Sequence, residues 1–345
     1  MSQTEDLDIP PFPSDVPLAP IARISSAALL SKDDSTGTAV LKATQTAGFF
    51  YLDMTDSPSG QELLSEAEQL QRLSQTAFTM PLEEKLKYRL INGISMFGYK
   101  AAGAVKQTDK SARPDATEFF NVGKDHLHDV TPSRDYPSDL EAARPLLASF
   151  AAHAHTMGMV VLRTLARHLE LPEETFADLN LFRKPAGDHV RLTHTPATLP
   201  SQESFPLPSH TDFGSVTLLF NWLGGLQIES RDPARHGSWD YVKPLPGHAI
   251  INLGDAMVKF TNGALKSAKH RVVTAPGEQR QCERYSIVYF VRPHDEALMK
   301  PVERFEKGEN VKVGGKVSVG DGDGKIYTAG EWMSRRAMQM MGNLK

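Results

Sequence analysis

A single cysteine, Cys282, stands in the 345-residue chain. No disulfide can form within it, and a reducing, cytoplasmic setting is the simplest expectation. An excess of either charge is also missing: 38 lysines and arginines face 42 aspartates and glutamates, a formal net charge of −4. No basic cluster interleaved with aromatics stands out, which argues against nucleic acid as a partner. Met1 to Pro20 is acidic and carries five prolines, where a secretory signal needs a basic start and an apolar run. That composition suits an extended arm over residues 1–18. No apolar stretch nears the roughly 20 residues of a membrane helix, so no membrane partner is expected. Hydrophobic residues still make up 40% of the chain, enough for a sizeable core.

What the chain does contain is Ser209-His210-Thr211-Asp212-Phe213-Gly214. Side chains at i and i+2 leave the same face of an extended backbone, so His210 and Asp212 can converge on one cation while Thr211 points away. A third ligand has to come from a separate strand, and His270 lies in the β-branched run Lys269-His270-Arg271-Val272-Val273. Two imidazoles and one carboxylate on one side of a metal leave its other positions open, the arrangement used by non-haem Fe(II) oxygenases. A further strand-like run, Arg284-Tyr285-Ser286-Ile287-Val288-Tyr289-Phe290, repeats the two-residue spacing. Arg284 and Ser286 share a face and offer a guanidinium fork and a hydroxyl, a receptor for a small carboxylate.

Taken with Asn252-Leu253-Gly254-Asp255 and Lys266-Ser267, these motifs resemble the isopenicillin N synthase-like family of Fe(II)/2-oxoglutarate-dependent dioxygenases. Weaker echoes are Gly48-Phe49-Phe50-Tyr51, Pro81-Leu82-Glu83-Glu84-Lys85, Phe97-Gly98-Tyr99 and Asp115-Ala116-Thr117-Glu118-Phe119-Phe120, so that the likeness runs from about residue 16 to 345. The resemblance implies a double-stranded β-helix, or jelly roll, in a mainly β protein with flanking helices. It implies Fe(II) on His210, Asp212 and His270, with 2-oxoglutarate and O2 as co-substrates and ascorbate as a stimulant. It also implies that Arg284 and Ser286 clasp the far carboxylate of 2-oxoglutarate. Many relatives place a tyrosine hydroxyl on the co-substrate from the strand before His-x-Asp; here Thr195 holds that place, and a shorter hydroxyl reaches through water or leaves extra room.

Strand alternation nominates the substrate side. If Thr195 faces inward, so do Thr193 and Arg191, and an inward Arg191 suits a polar or anionic substrate group. Phe290 and Arg292 share parity with Arg284 on the last strand, and Phe290 can pack on a ring or acyl chain. Phe97 to Lys100 and the loop through Asp115 are candidates for a variable wall. Structural or solvent-facing roles are expected for His194, Asp255, His236 and His248. His153 and His155, two apart on a helix, are not expected to share a metal. Cys282 is an oxidisable side chain with no mark of a nucleophile.

Organisation follows the same signals. The arm precedes a helical and mixed region at 19–185, and a jelly-roll core with a C-terminal helix occupies 186–345, all within one structural unit. Helices are expected from a capping box at Ser59–Glu62 through about Ala77, from Pro81, from Leu140 to Leu169, and from Glu331 to Met341. Strands are expected at 215–222, 226–230, 249–253, 270–274 and 284–291. Asp321 and Asp323 lie in a glycine-punctuated loop that fails the EF-hand pattern.

The expected activity is oxygenation of a small organic molecule in specialised metabolism, by hydroxylation, desaturation or ring rearrangement. The alternatives are an O2-dependent oxidase that does not use 2-oxoglutarate and a non-catalytic small-molecule-binding protein on the same fold.

Overall fold

In the strand Arg284–Val291, Tyr285, Ile287, Tyr289 and Val291 enter the main hydrophobic core, whereas Arg284, Ser286, Val288 and Phe290 line a cavity on the other face. Period-two alternation with both faces buried is what a sheet between a helical layer and a second sheet requires. The computed structural model describes residues 9–91, 95–104, 115–198, 207–235, 237–306 and 325–340. Among them run twelve strands: β1 (Ala22–Ser25), β2 (Phe49–Asp53), β3 (Gly98–Lys100), β4 (Glu118–Gly123), β5 (His189–Thr195), β6 (Leu207–His210), β7 (Val216–Asn221), β8 (Leu226–Glu229), β9 (Trp239–Tyr241), β10 (His248–Leu253), β11 (His270–Val272) and β12 (Arg284–Val291).

Strands β5 to β12 divide into two sets of four, β10-β7-β12-β5 and β6-β11-β8-β9. These two facing sheets form the jelly roll. The first set is extended at both edges by strands from earlier in the chain, β2 and β1 beyond β10 and β4 and β3 beyond β5, to give eight strands. The region at 19–185 therefore supplies half of the large sheet as well as its helical cover. Helices Asp34–Thr46, Pro58–Ala77 and Arg144–His168 pack on the outer face of that sheet.

Several local expectations shift. The helix ending at Ala77 begins at Pro58, and Ser57 caps it through a hydrogen bond from the Gly60 amide at 3.1 Å. Proline is favoured at the first helical position, which moves the cap two residues before Ser59. The expected Leu140–Leu169 helix is two, Ser138–Ala142 and Arg144–His168, because Pro145 lacks the amide that would continue the first into the second. The second of these is, against the expectation of no such run, long and apolar enough to cross a membrane by length and composition. Its apolar side is the core: Phe150, Val161, Leu162 and Leu165 are fully buried against the sheet and its neighbouring helices. The helix at Pro81 spans only Leu82–Leu86. The last helix is Ala329–Met340. Asp321, Asp323 and their glycine-rich loop, His236 and Met341 lie outside the described residues.

The described part of the N-terminal arm is extended alongside β9. Tyr241 exchanges backbone hydrogen bonds with Pro17 and Ala19 at 2.8 and 2.9 Å, and Gln279 donates to the Pro10 carbonyl at 2.8 Å.

Candidate active site

His210 ends β6 and His270 begins β11, and the antiparallel register sets them directly opposite each other. Their rings lie 4.4 Å apart, and each Nε2 is 3.9 Å from Asp212 Oδ1. The Asp212 turn is fixed from behind by Asn252-Leu253-Gly254-Asp255: the Asp255 amide donates to the Asp212 carbonyl at 2.8 Å. A Cβ on Gly254 would overlap the carbonyl oxygen of Gly214, so only glycine permits this approach.

Hydrogen bonds orient each ligand. His210 Nδ1 faces the Pro208 carbonyl at 2.9 Å and His270 Nδ1 faces that of Ala268 at 3.1 Å. Each Nδ1 must donate, which leaves both Nε2 lone pairs directed at the shared space. Asp212 Oδ2 accepts from Thr217 and from Asn252, both at 2.7 Å, leaving Oδ1 for a cation. Burial pulls the Asp212 carboxyl upward, but His270, His210 and these two hydrogen bonds prevail and hold it at about 2. Burial, reinforced by His270, depresses His210 to about 4. Two imidazole nitrogens and a carboxylate oxygen within 4.8 Å of one another fit a divalent transition metal.

The three residues open onto a cavity whose wall mixes apolar side chains with a few polar ones. Arg284 and Ser286 line it. Arg284 donates from Nε to the Gly224 carbonyl at 2.9 Å and from Nη1 to Ser286 Oγ at 3.4 Å, and no carboxylate pairs with it among the described residues. Burial alone lowers its pKa to about 10, which keeps it charged at neutral pH. Gly225, at φ +105°, makes the turn that presents this carbonyl.

Thr193 lines the same cavity and shares a short hydrogen bond with Ser286. Thr195 does not line it. Its hydroxyl meets that of Thr117 at 2.9 Å, and it borders a smaller recess behind Arg284 with about 240 Å³ of free space. Thr117 lines the main cavity instead. Arg191 lines it too, its guanidinium 4.1 Å from the Phe119 ring centre and 4.8 Å from that of Phe290. Arg292 is buried behind Phe290, with its backbone amide on Asp188 and Nη1 on the Met96 sulfur, and is not among the lining residues.

A family model described as the 2OG-Fe(II) oxygenase superfamily matches residues 186–293, and one described as the N-terminal region of non-haem dioxygenases in morphine synthesis matches 17–141. A 2-oxoglutarate-dependent dioxygenase of Aspergillus fumigatus is 31% identical over 318 residues, covering 86% of this chain and 82% of the relative. The chain belongs to the 2OG-Fe(II) oxygenase superfamily. Another relative, the 2-oxoglutarate-dependent dioxygenase frbH of a Dothideomycetidae species, is 30% identical with 88% of each chain covered. Among solved structures, a full-length Neurospora crassa protein in complex with alpha-KG and thymine superposes with a TM-score of 0.75 at 25% identity, covering 92% of this chain and 96% of that one. This oxygenase thus depends on iron, 2-oxoglutarate and O2 and acts on a small molecule.

The residues expected to be structural in this oxygenase have partners that explain them. His194 faces the helical layer, bonded to Glu118 at 2.8 Å and stacked between Phe78 and Tyr285. His153 binds Glu66, and His155 turns to Asp188. His248 meets the Pro246 carbonyl, and Cys282 is half-buried beside the smaller recess. Sequence reasoning missed Thr217 and Thr117. Thr217 carries one usable signal, a hydroxyl residue at the inward parity of a strand following His-x-Asp; Thr117 carries none.

Proposed function

We propose that His210, Asp212 and His270 hold Fe(II), that Arg284 and Ser286 hold the far carboxylate of 2-oxoglutarate, and that Arg191, Thr193 and Phe290 face the substrate. The observation that carries this reading is the pairing of a free N, N, O ligand set with an uncompensated buried arginine in one cavity. A buried cation without a carboxylate is costly, and an anionic ligand offsets that cost.

The iron, when bound, supplies O2 activation coupled to oxidative decarboxylation of 2-oxoglutarate to succinate and CO2. The protein's part is positional. Pro208 and Ala268 fix the imidazole tautomers, Thr217 and Asn252 aim the carboxylate, and the apolar walls of Leu219, Leu226, Val272 and Val288 exclude water from the reacting carbon. Which C–H bond reacts depends on how Arg191 and Phe290 hold the substrate. Thr195 touches the co-substrate at most through water, in keeping with its place beside the smaller recess.

The test is anaerobic reconstitution with Fe(II) and 2-oxoglutarate, then exposure to O2 with a metabolite panel, scoring succinate and product mass together. Succinate that rises with one panel member, matched by that member's mass shift, is expected. A substrate consumed with O2 but without succinate would point to an oxidase that bypasses 2-oxoglutarate.

A further inference from the structure

We infer that the substrate carries an anionic group, a carboxylate or a similar oxyanion, and seats it on Arg191; this deepens the reading above and rests on Arg284 serving the co-substrate. Two arginines reach the cavity from different places in its wall. Arg284 lies across from Thr195 and Arg191 across from Val288, four residues further along β12. At strand rise this separates their backbones by roughly 13 Å. The metal-binding carboxylate belongs to the Arg191 end, because Asp212 is held by Thr217, which pairs in register with Phe290. A co-substrate stretched from the metal to Arg284 leaves the Arg191 end open.

Charge makes the stronger case. With iron and 2-oxoglutarate in place, the metal's two positive charges and that of Arg284 are cancelled by Asp212 and the two carboxylates of 2-oxoglutarate. Arg191 is left over. Among the described residues its one hydrogen bond is from Nε to Asn121 Oδ1 at 2.8 Å, and no carboxylate pairs with it. Arg292 adds positive charge at the same end rather than relieving it. Lys100, also nearby, is matched by Asp115.

The surroundings also fix how the group is offered. Phe119 and Phe290 clamp the guanidinium plane, and Asn121 holds Nε. The terminal nitrogens are the unused donors of a residue that lines the cavity, the fork that pairs with two oxygens. Stacking on two rings accounts for Arg191 being held in place, but leaves its charge without a counterpart.

The experiment uses the anaerobic Fe(II)·2-oxoglutarate enzyme and equilibrium calorimetry. Benzoate, phenylacetate and cinnamate are the probes, each compared with its primary amide. Acids should bind more tightly than their amides by roughly tenfold or more. Arg191→Met should erase that preference and Arg191→Lys should keep part of it, with 2-oxoglutarate affinity unchanged within about twofold in both variants. Arg284→Met should do the reverse, losing 2-oxoglutarate and keeping the preference for acids over amides. Equal binding of acids and amides, no binding of any acid, or a preference that survives Arg191→Met overturns the inference. If instead Arg191→Met loses 2-oxoglutarate and Arg284→Met retains it, the co-substrate assignment itself is wrong.

Discussion

Thr211 donates its hydroxyl to Asp255 Oδ2 at 2.9 Å, although the two residues lie 44 apart in sequence. The same carboxylate oxygen is paired with Arg336 of the C-terminal helix, and the Arg336 guanidinium lies 4.7 Å from the Phe213 ring centre. The residue between two metal-binding positions is therefore tied, through one buried aspartate, to a helix near the end of the chain. Removing the arginine strands the Asp255 carboxylate in the interior. Arg336→Met should cost about 3 to 5 kcal/mol of stability. Urea unfolding checks this, and the double variant with Asp255→Asn should lose less than Arg336→Met alone.

The carboxylate of Asp212 depends on two neutral donors. Thr217→Val and Asn252→Ala should each weaken metal binding by about 10- to 100-fold, while Asp212→Ala should abolish turnover. Titration with Fe(II) under anaerobic conditions separates the effects. Unchanged affinity in both supporting variants would refute the role given to them.

Arg284 and Ser286 differ in kind. Losing a buried charged partner costs about 2 to 5 kcal/mol, so Arg284→Ala should raise the KM for 2-oxoglutarate by tens of fold or more. Ser286→Ala removes one hydrogen bond from a neutral hydroxyl to the far carboxylate of 2-oxoglutarate, worth about 1.5 kcal/mol or a little more, and should raise it by roughly tenfold. Steady-state kinetics at saturating substrate distinguishes the two.

Glu118 gathers His194, Lys85 and Tyr99 around one carboxylate at the edge of the helical layer. Burial raises its pKa, but hydrogen bonds from His194, Lys85 and Tyr99 bring it down to about 2 from an ordinary 4.5. A depressed pKa in the folded state means stability that is full above the unfolded value and lost as pH falls through the folded one. The window is therefore about pH 4.5 down to 2. After allowance for solvent screening the contribution is on the order of 2 kcal/mol. Glu118→Gln should flatten the acid limb of a stability-against-pH curve in that window.

Much of the site was legible because it depends on strand parity. The i, i+2 spacing of Arg284 and Ser286 holds on β12, Asp212 meets His210 from the turn just after β6, and the alternation that turned Arg191 and Phe290 inward also turned His194 outward. What parity cannot supply is register between distant strands. Thr195 sits across from Arg284 as alternation requires, yet the neighbouring Thr117 hydroxyl occupies it and takes its place along the cavity. Arg336 gave no signal, since its partner lies 81 residues away. The short edge strand Ala22–Ser25 was equally silent, because half-exposed residues show no apolar period.

The jelly-roll strands that bear the metal set and the arginine clasp all lie after residue 188, yet β10, at the border of the first set of four, is covered by β2, with Phe50 opposite Ile251. A fragment spanning 186–345 would hold every candidate ligand and still present β10 and β5 as raw edges, an invitation to self-association. Expressed alone, it should elute as aggregates on size exclusion. During synthesis the first strands must wait for nearly the last, and contacts of such long sequence separation slow folding. Assembly of the reaction centre is thus a late event in the life of each molecule, completed only when residues 49–53 find residues 248–253.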